Sequence, residues 1–238
     1  SSFQPELMTK GLGPKKDSAF SIESADELFS QLDGKNAAAL GPGIGSQNST
    51  IDFVHRVVRE LKVPLVLDAD GLNAFKNNSN ELINNQDQPL VLTPHPGEFS
   101  RLIGLSTATI LANKIELARQ FALDHGVWLV LKSFRTLIAE PEGQVFVCPL
   151  GNPGMASAGM GDVLTGVLTS LLGTFTAQGM TQISQISQAI RLGVYIHSMA
   201  GDLAEQKSGT EALTASDVIS CLGKSFQELS RKNYPDEL

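Results

Sequence analysis

The chain has 238 residues, enough for one large or two small domains, and we expect a single domain over residues 1–238. Its 42% hydrophobic content supports a sizeable core, and its formal net charge of −7 argues against nucleic acid or an anionic membrane as the main partner. The apolar runs are short, no secretion leader is visible, and Cys148 and Cys221 lack metal or redox spacing, so we expect a cytoplasmic protein with buried thiols and no membrane span.

Strands and helices are predicted to alternate along most of the chain. A capping-box pattern at residues 24–27 predicts a first, short helix that ends at Gly34. The predicted strands are residues 36–40, 64–67, 90–92, 127–132, 136–139 and 144–148. The predicted later helices begin near residue 49, span residues 107–125, follow residue 162, span residues 181–206 and begin near residue 214. This pattern predicts an α/β fold with a mostly parallel sheet covered by helices on both faces.

Residues 151–162, Gly-Asn-Pro-Gly-Met-Ala-Ser-Ala-Gly-Met-Gly-Asp, form a glycine-rich loop that leads directly into an apolar helix. The first N–H groups of a helix lack internal partners, and Gly159 and Gly161 would let a phosphate approach them closely. Asp162 has two interpretations. It is either the N-cap of the helix or a general base that accepts a proton from a substrate hydroxyl during phosphoryl transfer.

Three predicted strand ends also have unusual residues, at 41–45, 68–73 and 93–98. Ligands of parallel sheets bind beyond the carboxyl ends of the strands, so these loops and the glycine-rich loop are expected to converge there. Asp68 and Asp70 either end a strand or bind substrate, and Asp70 is preferred because it lies further out. His95 is held between two prolines, which favours a ligand role.

Another candidate is the turn after the fourth predicted strand. Lys132 is followed by Ser133, Phe134, Arg135 and Thr136, which form either an exposed cationic turn or a phosphate or nucleotide contact. His197 lies in an apolar helix and is interpreted as a core histidine without a role in the site.

Four motifs in this order resemble those of the ADP/ATP-dependent NAD(P)H-hydrate dehydratases, repair enzymes with a ribokinase-like fold. They are Gly-Pro-Gly-Ile-Gly at 41–45, Leu-Asp-Ala-Asp-Gly-Leu-Asn at 67–73, Leu-Thr-Pro-His-Pro-Gly-Glu at 92–98 and the glycine-rich loop from residue 151. Each motif alone is weak, and the set is specific.

The resemblance implies a role for each matched position. The residues implied to contact the hydrated nicotinamide nucleotide are Gly43, Asp70, His95 and Asp162. The residues implied to contact the adenine nucleotide are Lys132, Ser133, Phe134, Arg135, Thr136, Gly159, Met160 and Gly161. Asp162 is implied to act on the hydroxyl that is removed, which is phosphorylated by ADP or ATP and then eliminated as phosphate. Mg²⁺ is implied with the nucleotide, although the sequence contains no dedicated metal cage.

Two departures from the family pattern stand out. Family members usually have Lys-Gly at the nucleotide turn, whereas this chain has Lys132-Ser133, and we expect the serine to cost backbone freedom there. The family's N-terminal strand, glycine loop and helix are not recognisable, nor is the epimerase domain of many relatives, so the sequence is read as an N-terminally incomplete domain. The resemblance also implies a homo-oligomer, a tetramer. Two alternatives stay open: a vitamin-precursor or sugar kinase of the same fold, and an inactive nucleotide-binding fragment.

Overall fold

A computed structural model of the chain describes residues 8–13, 19–83 and 88–233. Six strands form one sheet, and their order across it is their order in the sequence. They are β1 Ala38–Leu40, β2 Leu65–Leu67, β3 Leu90–Leu92, β4 Trp128–Leu131, β5 Leu137–Ala139 and β6 Val145–Val147. Strands β1 to β4 are parallel, and β5 and β6 add an antiparallel edge. The mostly parallel sheet predicted from the sequence is confirmed.

The helices cover both faces of this sheet. In chain order they are α1 Ser24–Gln31, α2 Asn48–Glu60, α3 Ala69–Asn73, α4 Pro96–Ile103, α5 Thr107–Ala112, α6 Lys114–His125, α7 Met160–Ala177, α8 Ile183–Ser208 and α9 Ala215–Asn233. Two short 3-10 turns, Ser79–Glu81 and Pro153–Met155, lie between them. In β2, Leu65 and Leu67 face the core beneath α2, α4 and α6, whereas Val66 faces the core beneath α7 and α8. Because both faces are buried, every residue of β2 and β3 is apolar.

The long helix predicted over residues 107–125 is wrong in one respect, because Asn113 divides it into α5 and α6. Asn113 has a φ of −129°, outside the helical range, and its side-chain amide donates to the Thr109 carbonyl at 3.1 Å. Asparagine competes in this way with the regular helical hydrogen bonds. The apolar pattern could not reveal the break, since Ile110 and Ala118 on either side of it are both fully buried.

The cores also bear on two other sequence-based expectations. Cys148 and Cys221 are buried and free, as expected from their spacing. Helix α7 is long and apolar enough to cross a membrane by length and composition alone, a test that the core helix of a globular domain also passes. In this structure α7 packs on the sheet, where Leu164, Leu168 and Leu172 are buried.

Candidate active site at the carboxyl ends of the strands

The four motif loops lie together at the carboxyl ends of β1 to β4. The backbone N–H of Gly45 donates to Oδ2 of Asp70 at 3.0 Å, which joins the first loop to the second. The backbone N–H of Lys132 donates to the Pro94 carbonyl at 2.8 Å, which joins the nucleotide turn to the third loop. The convergence expected from the sequence is therefore present, and it follows from the parallel arrangement of the strands.

A buried carboxylate, Asp68, lies at the centre of this edge and is 1% exposed. Its Oδ1 accepts from the Lys132 Nζ at 2.6 Å and from the Ala69 backbone N–H at 2.9 Å. Its Oδ2 accepts from the Thr165 hydroxyl of α7 at 2.8 Å. Buried charges are tolerated when they are paired and hydrogen-bonded in this way. Ala69 has a φ of +49°, an uncommon conformation for alanine and one that often accompanies functional sites.

Helix α7 begins against this ion pair. Gly159 is its N-cap in a left-handed conformation, with a φ of +82°. A Cβ at Gly161 would lie 3.2 Å from the Lys132 Nζ and 3.5 Å from Oδ2 of Asp68, so glycine allows the close approach of the helix N-terminus to the pair. The positive end of the helix dipole is thus next to a lysine, an arrangement suited to an anion such as a phosphate.

Asp162 lies in the first turn of α7 and is exposed. The N-cap interpretation of Asp162 is wrong, because the cap is Gly159 and no side chain caps this helix terminus. The carboxylate is instead available to a ligand that binds over the edge of the sheet. Its neighbour Met160 is buried in the core between α7, α8 and α9, which anchors the turn from below.

His95 and Glu98 form a reciprocal cap at the start of α4. Nδ1 of His95 accepts from the backbone N–H groups of Gly97 and Glu98 at 3.0 and 3.3 Å, and Oε2 of Glu98 accepts from the His95 N–H at 2.8 Å. Because Nδ1 accepts, the ring proton is assigned to Nε2, on a ring whose side chain is 51% exposed. Oε2 of Glu98 also lies 3.9 Å from the Lys132 Nζ. The histidine is therefore fixed in orientation while its outer nitrogen stays accessible.

The nucleotide turn differs from both sequence-based interpretations. Lys132 is not an exposed cation, since its side chain is 20% exposed and bound to Asp68. Lys114 of α6 supports the turn by donating to the Phe134 carbonyl at 2.8 Å. Phe134 is 77% exposed at the tip. The left-handed residue is Arg135, with a φ of +61°, and not Ser133, so the expected cost of replacing glycine by Ser133 does not arise.

The remaining predicted positions lie around the same edge. Gly43 is exposed, with a φ of +70° and open space where a side chain would be. Asp70 is half-exposed and accepts from Gly45, whereas Asp68 is buried, in agreement with the expectation that Asp70 lies further out. Thr136 follows the nucleotide turn, and its carbonyl accepts from the Cys148 N–H at the start of the edge strands.

Sequence reasoning missed three residues of the site and misjudged one. Asp68 was ranked below Asp70, Glu98 was regarded as no more than a helix cap, and Thr165 was not considered, although a threonine three positions beyond Asp162 on an apolar face was an available signal. His197 is buried, as predicted for a core histidine, but it hydrogen-bonds the Met160 backbone directly beneath the site. Burial, with a smaller contribution from the Lys132 charge, lowers the pKa of His197 to about 4.

Within the described ranges no three His, Cys, Asp or Glu side chains cluster closely enough to hold a metal ion. Mg²⁺ usually keeps water and nucleotide phosphates as most of its ligands and needs only one or two carboxylates from the protein. Glu98 and Asp162 are carboxylates of the kind such an ion accepts. The residues present therefore fit a metal held mainly by a nucleotide.

Comparison with known proteins assigns the family. The family model described as NAD(P)H-hydrate dehydratase matches residues 2–224. The bifunctional NAD(P)H-hydrate repair enzyme Nnr of Moorella thermoacetica is 40% identical over 91% of this chain, which covers 39% of that protein. The ADP-dependent (S)-NAD(P)H-hydrate dehydratase of Neisseria meningitidis is 33% identical over 80% of this chain and 62% of its own length.

A solved structure shares both fold and sequence. The ADP/ATP-dependent NAD(P)H-hydrate dehydratase from Bacillus subtilis, co-crystallized with ATP and Mg²⁺, is 27% identical and has a TM-score of 0.68 over 81% of this chain and 64% of its own. The chain spans about two fifths of the length of the bifunctional relatives it matches. Its sheet, its helices and its four motif loops agree with these comparisons. The chain belongs to the NAD(P)H-hydrate dehydratase family and has its ribokinase-like fold.

Proposed function

We propose that this chain removes water from the S epimer of hydrated NADH or NADPH, with ADP or ATP as phosphoryl donor, and so restores the reduced nucleotide. The observation that carries the proposal is the position of Asp162. It is an exposed carboxylate in the first turn of α7, directly after Gly161, which packs on the Asp68–Lys132 ion pair. A base and an anion-binding helix terminus thus adjoin each other, as transfer of a phosphoryl group to a hydroxyl requires.

The reaction proceeds in two stages. Asp162 accepts the proton of the substrate hydroxyl while the hydroxyl oxygen attacks the terminal phosphoryl group, and the bond to the leaving AMP or ADP breaks. The carbon–oxygen bond of the new phosphate ester then breaks, assisted by the lone pair of the ring nitrogen. Loss of a proton from the adjacent ring carbon restores the double bond. The products are NAD(P)H, phosphate, the shortened adenine nucleotide and a proton.

The surrounding residues have supporting roles. The backbone N–H groups of Gly159, Met160 and Gly161 stabilise the charge that develops on the phosphoryl oxygens. Mg²⁺ held with the nucleotide by its phosphates, with Glu98 and Asp162 in reach as carboxylates, would neutralise part of the same charge.

The substrate side of the site lies across the loops from β1 to β3. Gly43 lies there with open space above it, and Asp70 holds the same loop through the Gly45 N–H. The outer nitrogen of His95 is exposed on a ring that its capping bonds keep fixed. A nicotinamide ring bound between these groups would bring its hydroxyl towards α7.

The test uses chemically hydrated NADH with Mg²⁺ and either ADP or ATP, and follows recovery of the near-ultraviolet absorbance of the reduced ring. We expect recovery with at least one nucleotide. Asp162→Asn is expected to lower kcat by about 10²–10⁴-fold, because a general base contributes that much, with little change in the thermal midpoint.

Asp124→Asn is the matched control. Asp124 is an exposed aspartate near the end of α6, next to the opposite edge of the sheet, and its replacement is expected to leave kcat within about twofold. Absence of turnover by the wild-type chain with both nucleotides, or full activity of Asp162→Asn, would contradict the proposal. Accumulation of a stable phosphorylated product would support a kinase instead.

A further inference from the structure

One face of α8 holds the glycine-rich loop at its start, its middle and its end. At the start, Oδ2 of Asp202 accepts from the Gly151 backbone N–H at 3.1 Å, and Oδ1 accepts from the Asn152 side-chain amide at 3.0 Å. In the middle, Met155 packs so closely on Gly201 that a Cβ there would lie 2.2 Å from the sulfur. Residues at these helical positions share one face.

The end of the loop is held by the same helix. The imidazole of His197, whose residue is 7% exposed, hydrogen-bonds the backbone of Met160, the first residue of α7. The loop from residue 151 to residue 160 therefore spans a gap whose two ends are both fixed on α8. Its glycine content leaves the loop with little stiffness of its own, so its shape depends on these external contacts.

We propose that Asp202 is a positioning residue for phosphoryl transfer: by clamping Gly151 and Asn152 it sets the path of the loop and hence the place of the α7 N-terminus over the site. The inference rests on the proposed function and assigns a role to a carboxylate that touches neither substrate nor nucleotide. It acts on the reaction only through the loop.

Each atom of the clamp has one defined partner. A carboxylate can accept both bonds at once, whereas alanine accepts none and leaves the Gly151 N–H and the Asn152 amide without their acceptors. Oδ1 of Asn152 is buried and has no hydrogen-bond partner among the described residues. The amide is therefore held from one side only, and the clamp depends on the charge at Asp202.

The first experiment compares Asp202→Ala with Asp124→Ala, a matched removal of an exposed aspartate from another helix. Misplacement of a catalytic element by about 1 Å costs on the order of 10²-fold in rate, so we expect Asp202→Ala to lower kcat by about 10–100-fold. The KM for hydrated NADH is expected to stay within about twofold, because that substrate binds on the loops of β1 to β3. A loss of stability alone would not separate kcat from KM in this way.

A charge swap makes the test independent of simple truncation. Asn152→Asp alone places two carboxylates about 3 Å apart and is expected to impair activity at least as much as Asp202→Ala. The double variant Asn152→Asp with Asp202→Asn re-forms both bonds, since the new amide donates to residue 152 and its oxygen accepts from Gly151. Activity is expected to return to within about threefold of wild type, a coupling that only a direct contact produces.

Hydrogen exchange separates this inference from the proposed function. Asp202→Ala is expected to speed exchange in residues 149–161 and to leave β1 to β3 unchanged, whether or not the wild-type chain turns over hydrated NADH. An inactive wild type with faster loop exchange in the variant would overturn only the proposed function. Unchanged loop exchange, an Asp202→Ala variant with wild-type kcat, or folded single variants that the double change does not rescue would overturn the positioning role.

Discussion

Two buried carboxylates at opposite ends of the sheet differ in how completely they are satisfied. Asp68, at the carboxyl ends of the strands, has both oxygens hydrogen-bonded, to a lysine, a threonine hydroxyl and a backbone N–H. Glu140 follows β5 at the other end and is 5% exposed, yet its Oε1 has no hydrogen bond in the described structure and lies 3.5 Å from the Arg191 Nε. Burial raises the pKa of Glu140, only partly offset by Ser187 and Arg191.

The difference shows where the fold requires a charge. The fully bonded Asp68 holds Lys132 beside the α7 N-terminus, where a phosphate is expected to bind. Glu140 lies far from the motif loops, and its Arg191 partner has other contacts, over the Phe146 ring at 4.2 Å and with the Ser187 carbonyl at 3.2 Å. A buried ion pair is weak evidence for stability, so the two pairs are expected to respond oppositely to removal of their acid.

The largest effect is expected from Asp68→Ala. It leaves the Lys132 ammonium half-buried without its main partner and the Thr165 hydroxyl without its acceptor. We expect the free energy of unfolding to fall by about 3–5 kcal/mol, measured by urea denaturation, together with loss of dehydratase activity. A double variant that also replaces Lys132 by methionine is expected to recover part of the stability but not the activity. A loss of less than about 1 kcal/mol would show that Asp68 is not the structural centre of the edge.

An intermediate effect is expected from pH, through His197. Burial holds the pKa of this histidine at about 4 in the folded state, below its unfolded value of about 6.5. The unfolded chain therefore binds the proton more tightly, so the stabilising contribution is present above about pH 6.5 and is lost as the pH falls towards about 4. We expect about 2 kcal/mol to be lost between about pH 7.5 and about pH 5.

His197→Gln is the variant that isolates this contribution, since glutamine is similar in size and does not titrate. Urea unfolding at both pH values is expected to show a smaller acid loss in the variant. Some loss is expected to persist, because burial also lowers the pKa of His125. Equal slopes for the two proteins would mean that His197 is protonated or solvated in the folded state.

The smallest effect is expected from Glu140→Gln. The change removes a charge whose burial is only partly offset, and Arg191 keeps its contacts with Phe146 and Ser187. We expect stability at neutral pH to be unchanged or raised by up to about 1 kcal/mol. Since the folded pKa is raised, the acid stabilises the fold less as pH rises, so the benefit of glutamine should be larger at about pH 8 than at about pH 4.5. A loss above about 2 kcal/mol would place Glu140 in the same class as Asp68.

Much of the fold followed from local pattern, while the pairing inside the site did not. The apolar strands, the helix after the glycine-rich loop and the gathering of the motif loops are encoded by short segments, and parallel strands bring their ends together automatically. The partners of Asp68 are 64 and 97 residues away, so no local signal distinguished it from Asp70. The break at Asn113 was missed because a side-chain bond to the Thr109 carbonyl, not hydrophobicity, sets it.

The strand order has a consequence for how the protein is made. Each strand pairs with the one synthesised just before it, so the sheet can form from neighbouring segments as the chain leaves the ribosome. The bond from Thr165 to Asp68 closes later, and the one from Asp202 to Gly151 later still. We expect a nascent chain to hold a nearly complete sheet while its catalytic edge is still open, so that binding competence arrives last and abruptly, with the docking of α8.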